Sequence, residues 1–222
     1  MKKTITLLAI LFAVNVFATD RFVDSNLSQG NGTTLFTTIT SAVAAAVNGD
    51  RIIIIPSNYN EAELTINKSL QIIPQTAGAT INFNANIVVN GFAGMNLEII
   101  GFNLGVYNIN SNQAGSMSNR AKVSIINCSM NNLNLNVEGF ECYILSNNIS
   151  GQILARFGYF VSNYISDLYI LDEAAENPNN SDEKILIVNN DISNRLYIYN
   201  NTTRFVIANN ELNTIAIKRW NA

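Results

Sequence analysis

Three tyrosines and an arginine are the side chains best suited to hold a ligand. Tyr169 stands in ISDLYIL, Tyr197 and Tyr199 in ISNRLYIY, and Arg156 closes ISGQILAR. Apolar and polar residues alternate through the ends of these segments, so the four side chains fall on the outward side of a half-buried strand. Aromatic faces at strand spacing suit sugar rings. A guanidinium suits an acidic substituent. Outward tyrosine also simply has good strand propensity, so residue type alone does not separate the two readings.

Catalysis has less to work with. The chain has no histidine. That excludes histidine general bases, Ser–His and Cys–His pairs, and histidine metal ligands. Two cysteines make no zinc site by themselves. Asp191 and Glu211 are one carboxylate pair without a nearby base. Asp167 lies in a turn. The segment Asp172 to Lys184 holds Asp172, Glu173, Glu176, Asp182 and Glu183 but lacks calcium-loop spacing, and reads as a solvated acidic loop. No catalytic residue, metal site or cofactor is expected.

The elements that position these residues come from a repeat. SIINCSMNNLNLN, ILSNNISGQILAR, FVSNYISDLYIL, IVNNDISNRLYIY and IANNELNTIAIK share one pattern. An apolar strand is followed by a polar pair, one apolar anchor, a short turn and an alternating strand. The anchors are Met130, Ile149, Ile165, Ile192 and Leu212, and Leu104 extends the series upstream. Their gaps are 26, 19, 16, 27 and 20. The long gaps contain Asn110 to Ala121 and Asp172 to Lys184, which read as extruded loops. Pro56 and Pro74, 18 positions apart, mark two earlier units as matching corners. A unit near 20 residues cannot bury its apolar face alone, so stacked units must share one core. The expected fold is all-β, a solenoid of about eight coils. Leucine-rich repeats lack support because no helix recurs. A β-sandwich would not preserve one register over five segments.

Aligned anchors place residues in columns. Asn147, Asn163, Asn190 and Asn210 share one, which predicts an asparagine ladder at ~4.8 Å strand spacing. Cys128 occupies the same column one unit earlier. Cys142 aligns with Val123, about five positions to the side, which is more than ~15 Å. A disulfide needs Cα atoms within ~7 Å, so two buried free thiols are expected. Leu133, Ile153, Leu168, Leu196 and Ile215 point inward, as do Leu135, Ala155, Ile170, Ile198 and Ile217. Outward columns run Asn134, Leu154, Tyr169, Tyr197, Ala216 and Asn136, Arg156, Leu171, Tyr199, Lys218.

Leu35 to Val47 is the one convincing helix, with Phe36, Ile39, Val43 and Val47 on an apolar face. Thr33 or Thr34 suits its cap, and Asn48-Gly49 its end.

The run LFTTITSAVAAAVNGDRIIIIPSNYNEAELTINKSLQIIP resembles the opening of right-handed parallel β-helix proteins of the pectate-lyase-like superfamily. The helix, the N-G-D turn, the apolar strand, P-x-x-Y-x-E and I-N-K-S-L carry the likeness, over about Phe22 to Pro74. The resemblance implies a right-handed parallel β-helix whose first coil is capped by the helix at about 35–48. It implies turn-forming roles for Glu61 and Glu63. Enzymes of that family use converging carboxylates, with calcium and a basic residue in the lyases. This chain offers no such set, so the resemblance carries fold further than activity.

The opening MKKTITLLAILFAVNVFA has a basic head, a short apolar run and small residues at Val16 and Ala18. It reads as a secretory signal over 1–18, with Thr19 beginning a single mature domain over 19–222. No later run is long enough to span a bilayer. Loss of Lys2 and Lys3 takes the formal charge from −3 to −5, against nucleic acid as a partner. Lys218, Arg219 and Trp220 follow the last strand as a minimal lid, unless that edge self-associates. The expected function is an exported, non-catalytic protein of the periplasm, cell surface or medium. It binds a polysaccharide or surface protein. The alternatives are a polysaccharide lyase or hydrolase, and a purely structural or adhesive module.

Overall fold

The computed structural model describes residues 18–113, 119–171, 184–199 and 204–218. Strand accounts for 56% of the described residues and helix for 4%, so the class is all-β. The described strands form a 10-stranded and a 12-stranded sheet. Pairing is parallel throughout, from Phe22↔Leu35 at one end to Tyr199↔Lys218 at the other. In the 10-stranded sheet, Arg51–Ile54, Gln71–Pro74, Asn96–Ile100, Ala121–Ile126, Phe140–Leu145, Gly158–Val161, Lys184–Val188 and Arg204–Ala208 lie side by side in chain order. The 12-stranded sheet receives the strands between them. The chain therefore passes from one sheet to the other and back, each pass pairing with the one before.

The registers agree with the sequence columns. Met130↔Ile149, Ile149↔Ile165, Ile165↔Ile192 and Ile192↔Leu212 are all direct partners. Val123↔Cys142 is as expected, and both cysteines are buried free thiols. The earliest pair differs. Arg51 pairs with Gln71 and Ile54 with Pro74, a period of 20 rather than the proline spacing of 18. Pro74 ends its strand, whereas Pro56 lies in the bend beyond Ile54. Each proline terminates pairing, but at different points of its pass.

The corner between the sheets has a local cause. Asn127, Ser146, Ser162, Asn189 and Asn209 have φ between 51° and 57°, a left-handed conformation that asparagine tolerates well. Gly101, at φ 74°, does the same one pass earlier. The next residue turns its side chain inside. Asn147 Nδ2 donates to Asn163 Oδ1 at 3.0 Å, Asn163 to Asn190 at 2.9 Å, and Asn190 to Asn210 at 2.9 Å. Each Oδ1 also accepts the backbone N–H of the preceding rung. At the start of the ladder Cys128 donates its backbone N–H to Asn147 Oδ1 at 2.8 Å. Two further asparagine ladders flank other bends: Asn103 to Asn82 to Asn58, and Asn132 to Asn108, whose backbone N–H donates to Asn86.

One core runs between the sheets, from Val23, Ile52 and Ile54 to Ile192, Leu196 and Ile198. Each buried aliphatic contributes about 2 kcal/mol. Strands of the 10-stranded sheet are apolar outside as well. Ile100, Ile126, Leu145, Val161 and Val188 form a half-buried outer column, which is why these strands read as unbroken apolar runs. Ile215 and Ile217 continue the inner columns in register, yet are 48% and 58% exposed. They stand on a terminal strand with no further strand stacked on it among the described residues.

The helix α1 (Ile39–Ala45) is shorter than expected. Leu35 and Phe36 form a strand against Phe22 and Val23 instead. Phe36 thus reaches the core from extended backbone. Thr38, not Thr33 or Thr34, is the N-cap, and Val47 is exposed. Glu61 does more than shape a turn. Its carboxylate accepts the N–H groups of Ile39 and Thr40 at 2.7 and 2.8 Å. Lys68 Nζ donates to Val43 and Ala44 carbonyls, both at 2.8 Å. The next pass thereby clamps both ends of α1 in the sense of its dipole.

Candidate functional site

Tyr164–Ile170 and Asp191–Tyr199 pair in the 12-stranded sheet, and Glu211–Lys218 follows. Their second halves alternate, burying Leu168, Ile170, Leu196 and Ile198. That burial forces Tyr169, Tyr197 and Tyr199 outward. Tyr169 pairs with Tyr197, and their ring centroids are 5.8 Å apart at 44°. The Tyr197 and Tyr199 rings are 6.4 Å apart and within 9° of parallel. Lys218, the strand partner of Tyr199, has Nζ 5.8 Å from the Tyr199 centroid. A cation over the face of one ring leaves the aromatic surface with a positive group that can meet an acidic or hydroxylated ligand.

Arg156 lies in the bend just past the neighbouring strand Asn148–Ala155. Its Nε donates to Asn136 at 3.0 Å, and Nη1 lies 3.6 Å from Glu138. Both of these partners belong to the segment just after Leu133–Leu135, the strand that pairs with Ile153–Ala155. Lys218 is a cation that stands beside Tyr199.

Asp191 and Glu211 are strand partners, in a column with Ser129, Asn148 and Tyr164. Asp167 is in a strand at a register shift, where Asn194 Nδ2 lies 2.9 and 3.1 Å from its two oxygens and Ser166 Oγ donates at 3.0 Å. Among the described residues no group of three or more metal-ligating side chains forms, and no helix is long and apolar enough to cross a membrane. The acidic residues at 172–183, positions 1–17 of the expected signal over 1–18, and Arg219 and Trp220 lie outside the described residues.

A second aromatic surface lies on the outer face of the 10-stranded sheet. Tyr143 and Tyr159 are strand partners with rings 4.8 Å apart and 11° from parallel. Tyr143 donates its hydroxyl to Glu141 at 2.6 Å. Burial, and then this carboxylate, raise the tyrosine pKa above its usual range. Phe157 packs edge-on against Tyr159 and beneath Arg120. One strand away, Ser124 joins Ser69, Gln71, Asn96 and Glu98 around a cleft of about 490 Å³. Sequence reasoning followed only the columns after each anchor. The alignment of Cys142 with Val123 already placed Ser124 beside Tyr143, and the same step carried to GYFV would have found Tyr159.

No protein-family model, curated protein or solved structure matches the chain. Among the described residues the structure establishes an all-β fold of parallel strands in two sheets with one helix, and a tyrosine cluster with a lysine on its outer face.

Proposed function

We propose that this chain is a right-handed parallel β-helix of about eight coils, akin to the pectate-lyase-like superfamily, exported to the periplasm, surface or medium. Its function is to bind carbohydrate or another surface component without catalysis. Parallel pairing in chain order supports the coil reading, and right-handed crossover is the rule for such connections. The near-parallel Tyr197 and Tyr199 rings beside Lys218 carry the ligand reading. Tyr169 extends that surface, and Arg156 lies at its margin.

The test is a glycan array followed by titration of any ligand found, with wild type, Tyr197→Ala and Tyr199→Ala. Loss of either ring weakens binding by about tenfold, the scale of one aromatic contact. Variants within twofold of wild type would remove the site. A wild type that binds nothing on the array would remove the carbohydrate reading and leave the structural or adhesive one.

A further inference from the structure

Asp50 is a fully buried carboxylate at the turn after α1. Its Oδ2 accepts Arg21 Nε at 2.7 Å and the Val47 N–H at 2.9 Å. Its Oδ1 accepts the backbone nitrogen of Thr19 at 2.9 Å. Arg21 is itself oriented by a 2.6 Å bond from Nη1 to the Thr33 carbonyl. The pair Asp20–Arg51 lies alongside, with Nη2 to Oδ2 at 2.6 Å. Thr19 is also fixed from its other side, because its carbonyl accepts the Arg51 N–H at 3.1 Å. Ala18, one residue earlier, is exposed.

Thr19 is the residue at which the secretory-signal reading begins the mature chain. We propose that removal of the signal builds an ion pair into the fold: the new α-ammonium of Thr19 binds the buried Asp50 carboxylate. Hydrolysis of the Ala18–Thr19 amide by the peptidase that removes secretory signals adds one water across the bond. Ala18 leaves with a carboxylate, and Thr19 keeps a nitrogen that becomes an ammonium. The nitrogen already sits at hydrogen-bond distance from Oδ1, so no rearrangement is needed. A neutral amide donor is exchanged for a charged one, and charge-assisted bonds are shorter and stronger. Arg21 and the ammonium then hold the two oxygens of one carboxylate. This ties the first strand to the end of α1 and to the strand that follows it. Processing thus becomes part of the fold's stability, and an unprocessed or misprocessed chain is the weaker one.

The inference rests on the export reading, and the experiment separates the two. The protein is expressed with its full 222-residue sequence in an exporting host, and the intact mass of the exported product is measured. A first residue other than Thr19, or no cleavage, overturns the proposal at its base. Three chains are then compared by urea denaturation: one beginning at Thr19, one carrying Ala18 in addition, and one α-acetylated at Thr19. The chain with Ala18 keeps the same charge displaced by a residue, and the acetylated chain keeps a donor without charge. Both should unfold with an equilibrium constant raised about tenfold over the Thr19 chain, the difference between a neutral and a charged hydrogen bond. Equal midpoints for the three would overturn the ion pair while leaving export intact. Asp50→Asn in the Thr19 and acetylated chains provides the second check: the effect of acetylation should vanish in that background. An undiminished effect would place the benefit elsewhere than Asp50.

Discussion

Asn163 donates its side-chain amide to Asn190 at 2.9 Å across 27 positions of sequence. Both side chains are buried, at 2% exposure each. The Asn163 amide also donates to the Ile144 carbonyl at 2.8 Å. Its Oδ1 accepts both the backbone and the side-chain nitrogen of Asn147. Every polar atom is therefore used, and each ladder member satisfies the next.

Asn163→Ala strands donors of Asn147 and an acceptor lone pair of Asn190 in an apolar interior. The expected cost is about 3 kcal/mol. Asn210, the more exposed end of the ladder, should cost about 1 kcal/mol on the same change. Urea midpoints at constant slope check the ranking. Equal losses at the two positions would show that the ladder does not act through buried, unsatisfied groups.

Glu61→Ala removes the anion from the start of α1. The loss is about 1 kcal/mol, the scale of a helix cap with its dipole term. Lys68→Ala removes the cation from the end of α1 and should cost a similar amount. Because the two contacts lie at opposite ends of one helix, the double variant tests whether α1 detaches as a unit. A double loss well above the sum of the singles is the expected outcome, read from amide exchange within Ile39–Ala45.

Asp50 makes stability depend on acid. Burial alone would raise its pKa, but the N–H groups of Val47 and Thr19 and the Arg21 guanidinium together outweigh burial and hold it below its ordinary 3.8. A depressed folded pKa stabilises above the unfolded value, and that contribution is lost as pH falls through the lower folded value. Asp50→Asn should therefore be weaker than wild type at neutral pH, with the gap narrowing below pH 3.8. Denaturation midpoints for both proteins across that range check it. A gap independent of pH would assign the effect to packing rather than to the charge.

Cys128 is a thiol without thiolate chemistry. Burial pushes its pKa up to about 12, against smaller opposing effects of nearby backbone groups. The thiolate is the reactive form. Native protein at pH 8 should leave a disulfide-exchange reagent untouched, and unfolded protein should consume it at both Cys128 and Cys142. Mass should be unchanged by reduction, since both thiols are free.

Much of the register is legible in the sequence. The anchors Met130 to Leu212, the asparagine ladder and the outward tyrosines follow from side-chain period and from the inability of one unit to bury its own apolar face. Helix extent was not legible. Phe36 has the spacing of a helical core residue, but its backbone is claimed by Phe22 and Val23 in a strand. The proline spacing also misled, because a proline can end pairing anywhere past the last ladder bond.

The sequence by itself determined which residues recur and which face of each strand they take. Those are local properties, set by period and by turn chemistry at Asn127, Asn189 and Asn209. Tertiary structure alone decided which residues meet across passes that share no column. Glu61 reaches Ile39 and Thr40, and Arg21 and Thr19 converge on Asp50. Such contacts depend on the lengths of bends and on the direction of long side chains. Neither is written in a repeat.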